Sequence, residues 1–137
     1  MDKKTIVLGV IGSDCHAVGN KILDKIYSDA GFTVINLGVM VSQDEFIDSA
    51  IETGAEAILV SSLYGHGEID CMGFRERCTE RGLENMIIHV GGNLVVGKMD
   101  KTHIVEKFTE MGYDRVYTPD VDLQICLEDL RKDLKCS

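Results

Sequence analysis

An open five-stranded parallel sheet covered by helices on both faces is the fold class this sequence predicts, and three observations predict it. Five short apolar runs rich in β-branched residues recur along the chain, each too brief for a helix. Between them lie longer segments whose apolar residues repeat at helical spacing. The two kinds of segment alternate strictly, which is the pattern of buried parallel strands joined by crossover helices.

The expected strands are residues 5–11, 33–37, 57–61, 86–90 and 115–117. The first helix covers residues 18–30, with Val18, Ile22, Ile26 and Ala30 on one face. Phe46, Ile47, Ala50 and Ile51 form the inward face of the second, and Ser42 with Glu45 is a capping box that opens it. Residues 68–81 have the pattern of a third helix. Asp100 can cap the fourth, whose inward stripe is Ile104, Val105, Phe108 and Met111. The last helix is expected to start near Asp120, just after Pro119, with Leu123, Leu127, Leu130 and Leu134 on one side. Gly31, Gly54, Gly82 and Gly112 each follow a helix pattern, where a left-handed residue ends a helix.

No repeat, linker or low-complexity tract interrupts this order, so residues 1–137 are expected to form one domain. A chain of this length buries roughly two-thirds of the surface that it exposes when unfolded. Right-handed crossovers leave few topologies, and the flavodoxin-like, doubly wound strand order 2-1-3-4-5 is the commonest for this count.

A net charge of -9 and a pI near 4.8 argue against nucleic-acid and anionic-membrane partners, which are bound through accumulated Lys and Arg. No apolar run approaches membrane-spanning length, and Met1-Asp2-Lys3-Lys4 leads directly into a strand pattern, so a cytoplasmic location is expected. Cys15, Cys71, Cys78, Cys126 and Cys136 are an odd set without a Cys-x-x-Cys pair, which fits reduced thiols. Cys71 and Arg77 match the Cys-x5-Arg loop with which protein phosphatases cradle phosphate. That loop needs a preceding strand and a nest of backbone amides, whereas this segment has a helix pattern.

In the predicted order the winding reverses between the first and third strands, and ligands bind beyond the C-terminal ends of strands at such a point. One end carries Ser13-Asp14-Cys15-His16-Ala17-Val18-Gly19 and the other Ser61-Ser62-Leu63. Asp14 and His16 suit a metal ligand and the carboxylate that orients it, because an imidazole binding a metal through one nitrogen donates from the other. Gly12 and Gly19 would let the backbone turn tightly and let a bulky group approach the first helix. The alternative is that Asp14 caps that helix and His16 is an exposed loop residue. Gly91-Gly92 ends the fourth strand and runs into Asn93-Leu94-Val95-Val96-Gly97, a mostly apolar loop able to lie against a planar ligand. Serines and glycine pairs at strand ends are also ordinary turn formers, but here all three blocks line one crevice.

These blocks resemble the cobalamin-binding domains of adenosylcobalamin-dependent mutases and cobalamin-dependent methyltransferases. The family pattern of Asp-x-His-x-x-Gly, Ser-x-Leu and Gly-Gly stands here as Asp14-Cys15-His16-Ala17-Val18-Gly19, Ser61-Ser62-Leu63 and Gly91-Gly92. The resemblance covers essentially the whole chain. Its length without extra domains is most similar to the small subunits of mutases that interconvert L-glutamate and threo-3-methylaspartate by a radical mechanism.

Carried to these residues, the resemblance implies that His16 binds cobalt from the lower face, replacing the cofactor's own dimethylbenzimidazole, with Asp14 hydrogen-bonded to its far nitrogen. The displaced nucleotide tail is expected between the first helix and the sheet, with Ser61 near the dimethylbenzimidazole, Gly91 and Gly92 making room, and Leu63 packed against it. Ser13, Cys15, Ala17, Gly19, Ser62 and the segment Asn93, Leu94, Val95, Val96, Gly97 would complete the contacts. The resemblance further implies adenosylcobalamin as cofactor and a larger barrel-type subunit that holds L-glutamate in a two-plus-two assembly. A reactive alkyl–cobalt bond must be closed off from solvent, and nothing in this chain can cover the upper corrin face. Two other readings fit parts of the pattern. A stand-alone corrinoid carrier for methyl transfer is disfavoured by the lack of a helical cap ahead of the first strand. A receiver-like signalling module needs an acceptor Asp where Ser61-Ser62 stands.

Overall fold

The computed structural model describes residues 4–12, 18–62, 70–92, 100–118 and 121–135. Within them, strands and helices alternate as β1 (Thr5–Val10), α1 (Val18–Asp29), β2 (Thr33–Asn36), α2 (Gln43–Thr53), β3 (Ala57–Ser62), α3 (Phe74–Glu80), β4 (Ile87–Gly92), α4 (Lys101–Glu110), β5 (Arg115–Tyr117) and α5 (Leu123–Asp133). The five strands form one sheet in the order β2-β1-β3-β4-β5, every pair parallel. This is the flavodoxin-like arrangement that the alternation predicts.

Side chains alternate across a strand, so each strand feeds two cores. Val7, Ile58, Val60, Ile88 and Val90 point to one face, where they pack against Phe46 and Ile47 of α2, Phe74 of α3 and Phe108 of α4. A chain of tilted ring contacts runs from Phe46 through Phe74 and Tyr113 to Phe108. Phe46, Phe74 and Phe108 are fully buried, and losing such a ring from a core costs about 3–5 kcal/mol. The opposite face gathers Ile6, Leu8, Ala57 and Leu59 under Tyr27 of α1, Phe32, and Leu127 and Leu130 of α5, with Leu134 just beyond it.

Local signals set the helix limits. Ser42 Oγ accepts from the Glu45 amide at 3.1 Å while Glu45 Oε1 accepts from the Ser42 amide at 3.3 Å, closing the expected capping box. Gly54 ends α2 at φ 65, the left-handed C-cap. Asp100 caps α4 through the Thr102 amide. The last helix starts later than expected, because Asp122 takes the cap by accepting from the Gln124 amide. The continuous third helix expected over residues 68–81 is corrected: Gly73, at φ 77, breaks the run, and α3 begins at Phe74.

Candidate functional site

Parallel register places the side chains of β3, β4 and β5 in rows across the sheet. Ser61, Gly91 and Tyr117 are aligned neighbours, and one pleat below them Leu59, His89 and Arg115 form the next row. Both rows lie on the face covered by α1 and α5. Because Gly91 has no side chain, the middle of the upper row is hollow; a Cβ there would stand 3.3 Å from the Tyr117 Cβ. The hollow opens into a cavity of about 530 Å³, within the range of small-molecule sites. Ile22, Leu23 and Tyr27 of α1 form one wall, and Leu123 and Cys126 of α5 form the other.

The lining carries no charge at neutral pH. Burial pushes the Tyr27 and Tyr117 hydroxyls well above their ordinary range and the Cys126 thiol up to about 11. It also lowers the His89 imidazole, more than its contact with Asp133 raises it. An uncharged, largely apolar slot accepts a neutral planar group and repels a bare anion, which would lose its hydration there.

A polar network closes the far side. His89 Nε2 lies 2.8 Å from Asp133 Oδ2, and Arg115 donates to both Asp133 oxygens, from Nε at 3.1 Å and Nη2 at 2.9 Å. The guanidinium of Arg115, more than any other neighbour, holds the Asp133 carboxyl below its usual range. Tyr117 donates its hydroxyl to Asp129 Oδ2 at 2.7 Å. On the other edge of α1, Asn36 Nδ2 donates to Asn20 Oδ1 and Asp24 Oδ2, both at 2.8 Å, and fastens the helix to β2.

The expected site residues fall into three groups. Ser61, Gly91 and Gly92 line the cavity together. Ser62 is fully buried on the opposite face of β3, its hydroxyl without a partner among the described residues. Gly19 lies in the first turn of α1. Ser13, Asp14, Cys15, His16, Ala17, Leu63, Asn93, Leu94, Val95, Val96 and Gly97 lie outside the described residues. Gly12, which precedes the Asp14 segment, has φ 76, a left-handed backbone conformation that favours glycine. Among the described residues, no group of three or more His, Cys, Asp or Glu could hold a bare metal ion.

Sequence patterning did not single out Tyr27, His89, Tyr117 or Cys126 as parts of a site. A polar inward residue inside the run 86–90 was the available signal for His89. The Cys71–Arg77 phosphatase pattern dissolves in three dimensions. The Cys71 thiol is fully buried and pushed up to about 12, chiefly by that burial, while Arg77 pairs with Asp44 at the surface, 3.0 Å away. Cys71, Cys78 and Cys126 are free thiols.

No helix among the described residues is long and apolar enough to cross a membrane. The structure is similar to the Methanosarcina barkeri monomethylamine corrinoid protein, with a TM-score of 0.71 at 19% identity over 92% of this chain and 57% of that one. It is nearly as similar to the signal receiver domain of the response regulator NarL from Mycobacterium tuberculosis, with a TM-score of 0.67 at 15% identity over 96% and 98% of the two chains. At such identities the likeness shows the fold alone, and it does not separate a corrinoid protein from a receiver. Sequence does separate them: the chain is 62% identical to the glutamate mutase sigma subunit of Escherichia coli O157:H7, over 98% of this chain and 90% of that protein. Residues 4–116 match the model of the B12 binding domain. With that match running from β1 into β5, and the similarity to the sigma subunit extending over 98% of the chain, the chain belongs to the B12-binding domain family, among the relatives of the glutamate mutase sigma subunits.

Proposed function

We propose that this chain is the cobalamin-binding subunit of an adenosylcobalamin-dependent isomerase that interconverts L-glutamate and threo-3-methylaspartate. The observation that carries the reading is the uncharged cavity over Ser61, Gly91 and Tyr117, in a chain so similar to a glutamate mutase sigma subunit. A neutral benzimidazole with its ribose suits that lining: Ser61 supplies a hydroxyl for a heteroaromatic nitrogen, and the missing side chain at Gly91 leaves room for a ring.

In this reading His16 would hold the cobalt through one imidazole nitrogen, and Asp14 would orient the ring by accepting from the other. A corrin carries most of the cobalt's ligands itself, so one imidazole from the protein would suffice. When bound, the cofactor supplies the carbon-centred radical chemistry, and the protein contributes binding, orientation and tuning of the axial ligand. α1 and α5 would hold the tail, and Asn93 to Gly97 would contact the corrin. Substrate is bound mainly by a larger barrel-type subunit, whose arginines suit a dicarboxylate better than this acidic chain does. That subunit also closes the upper corrin face, in a two-plus-two assembly working in the cytoplasm.

The test is an absorption titration with adenosylcobalamin, followed by electron spin resonance of the cob(II)alamin form. Wild type carrying 15N-labelled histidine is expected to bind and to show axial coupling to 15N. His16→Gly is expected to lose that coupling and to bind at least about tenfold more weakly, since even outer partners of a metal ligand are worth that much. An unchanged spectrum in the variant refutes His16 as the ligand.

A further inference from the structure

The cavity holds a polar atom that the fold leaves uncommitted. His89 is 3% exposed, lines the cavity, and presents Nε2 to Asp133. Asp133 is bound on both oxygens by Arg115 and is therefore an ionised acceptor, so the proton in the contact with His89 belongs to Nε2. Burial keeps the imidazole neutral. Nδ1 is then an acceptor, buried and without a partner among the described residues.

The ring is not free to satisfy itself by turning. Its edge contact with Tyr117, at 5.9 Å between centroids and 67° between planes, and its bond to Asp133 hold one orientation. Tyr117 is held in turn through Asp129, which also lies 3.7 Å from Arg115. If packing alone decided this position, a ring without nitrogens would be the better choice, because an unmade buried hydrogen bond costs stability. An acceptor kept in place beside an apolar cavity is the arrangement expected where a ligand brings the missing donor.

We infer that His89 Nδ1 accepts a hydrogen bond from a hydroxyl of the ligand filling this cavity, which makes His89 a specificity residue for a corrinoid carrying a nucleotide tail. The inference rests on the cobalamin reading above. Within that tail a glycosylated benzimidazole has an acceptor nitrogen and no N–H, and a phosphodiester has no proton at neutral pH. The ribose hydroxyl is the donor. Ser61, one register row away, offers a donor for the acceptor nitrogen, so the two side chains together define which way round the tail enters.

The test is a pair of absorbance titrations on the full chain, with aquocobalamin and with aquocobinamide, which lacks the nucleotide. His89→Phe is expected to lose about tenfold in affinity for cobalamin, the scale of one buried hydrogen bond, and to bind cobinamide as wild type does. No loss, or equal loss for both corrinoids, overturns the inference, whereas wild type that binds neither corrinoid overturns the cobalamin reading itself. A second measurement needs no variant. In wild-type protein with 15N-labelled histidine, the unprotonated Nδ1 resonance of His89 is expected to move upfield on adding cobalamin and to stay in place with cobinamide. A resonance unmoved by cobalamin refutes the contact even where the Phe variant does not fold.

Discussion

His89 and Asp133 tie the candidate site to stability through proton linkage. Burial lowers the imidazole in the folded chain, so between that lowered value and about 6.5 the unfolded chain binds the extra proton. Stability at His89 is therefore present above that window and is lost as pH falls through it. Asp133 is also lowered, chiefly by Arg115, so its contribution is present above the ordinary carboxylate range and is lost only at more acid pH. From pH 7.5 to 5.5 the unfolded imidazole gains its proton while the buried one lags behind it. The melting temperature of wild type is expected to fall over that interval by more than that of His89→Phe, as measured by thermal denaturation in matched buffers. An equal fall in both would show that His89 does not carry the acid sensitivity.

At the scale of elements, helix ends were more legible than helix interiors. The Ser42 and Glu45 pair could be read directly because a capping box is local: both bonds join groups three residues apart. Ser42→Ala is expected to cost about 1 kcal/mol, seen in urea unfolding as a lower midpoint with unchanged slope; an unchanged midpoint would mean that α2 is held by Phe46 and Ile47 alone. The third helix departs from its apolar pattern for a physical reason. Apolar spacing over residues 68–81 suits one helix, but a glycine inside a helical pattern is tolerated there or used as a break according to tertiary context, and Gly73 is a break. The late start of α5 is similar, since Asp122 and Asp120 are equally good caps by composition.

At the scale of the whole molecule, the cavity is a property of two helices and three strands, and filling it couples them. A ligand that binds only the folded chain stabilises it by about 2.7 kcal/mol at a hundred times its dissociation constant. Aquocobalamin at that excess is expected to raise the melting temperature of wild type and to raise that of His16→Gly less at the same concentration. No shift in wild type would contradict the proposed function. Charge at this scale disfavours a polyanionic partner, since a chain of net charge -9 repels one.

The sequence by itself determined the class of fold, the order of elements and the three blocks at the strand ends, because hydrophobic period, caps and short motifs are all encoded within a few neighbouring residues. It also carried the family, through Asp14-Cys15-His16-Ala17-Val18-Gly19, Ser61-Ser62-Leu63 and Gly91-Gly92. Tertiary structure alone decided which of two adjacent serines faces the cavity: a strand turns alternate side chains to opposite faces, and register put Ser61 beside Gly91 and Tyr117 while Ser62 went to the other core. It likewise decided that His89 meets Asp133, 44 positions away. No local signal encodes such a contact, because it exists only once α5 has packed across β4.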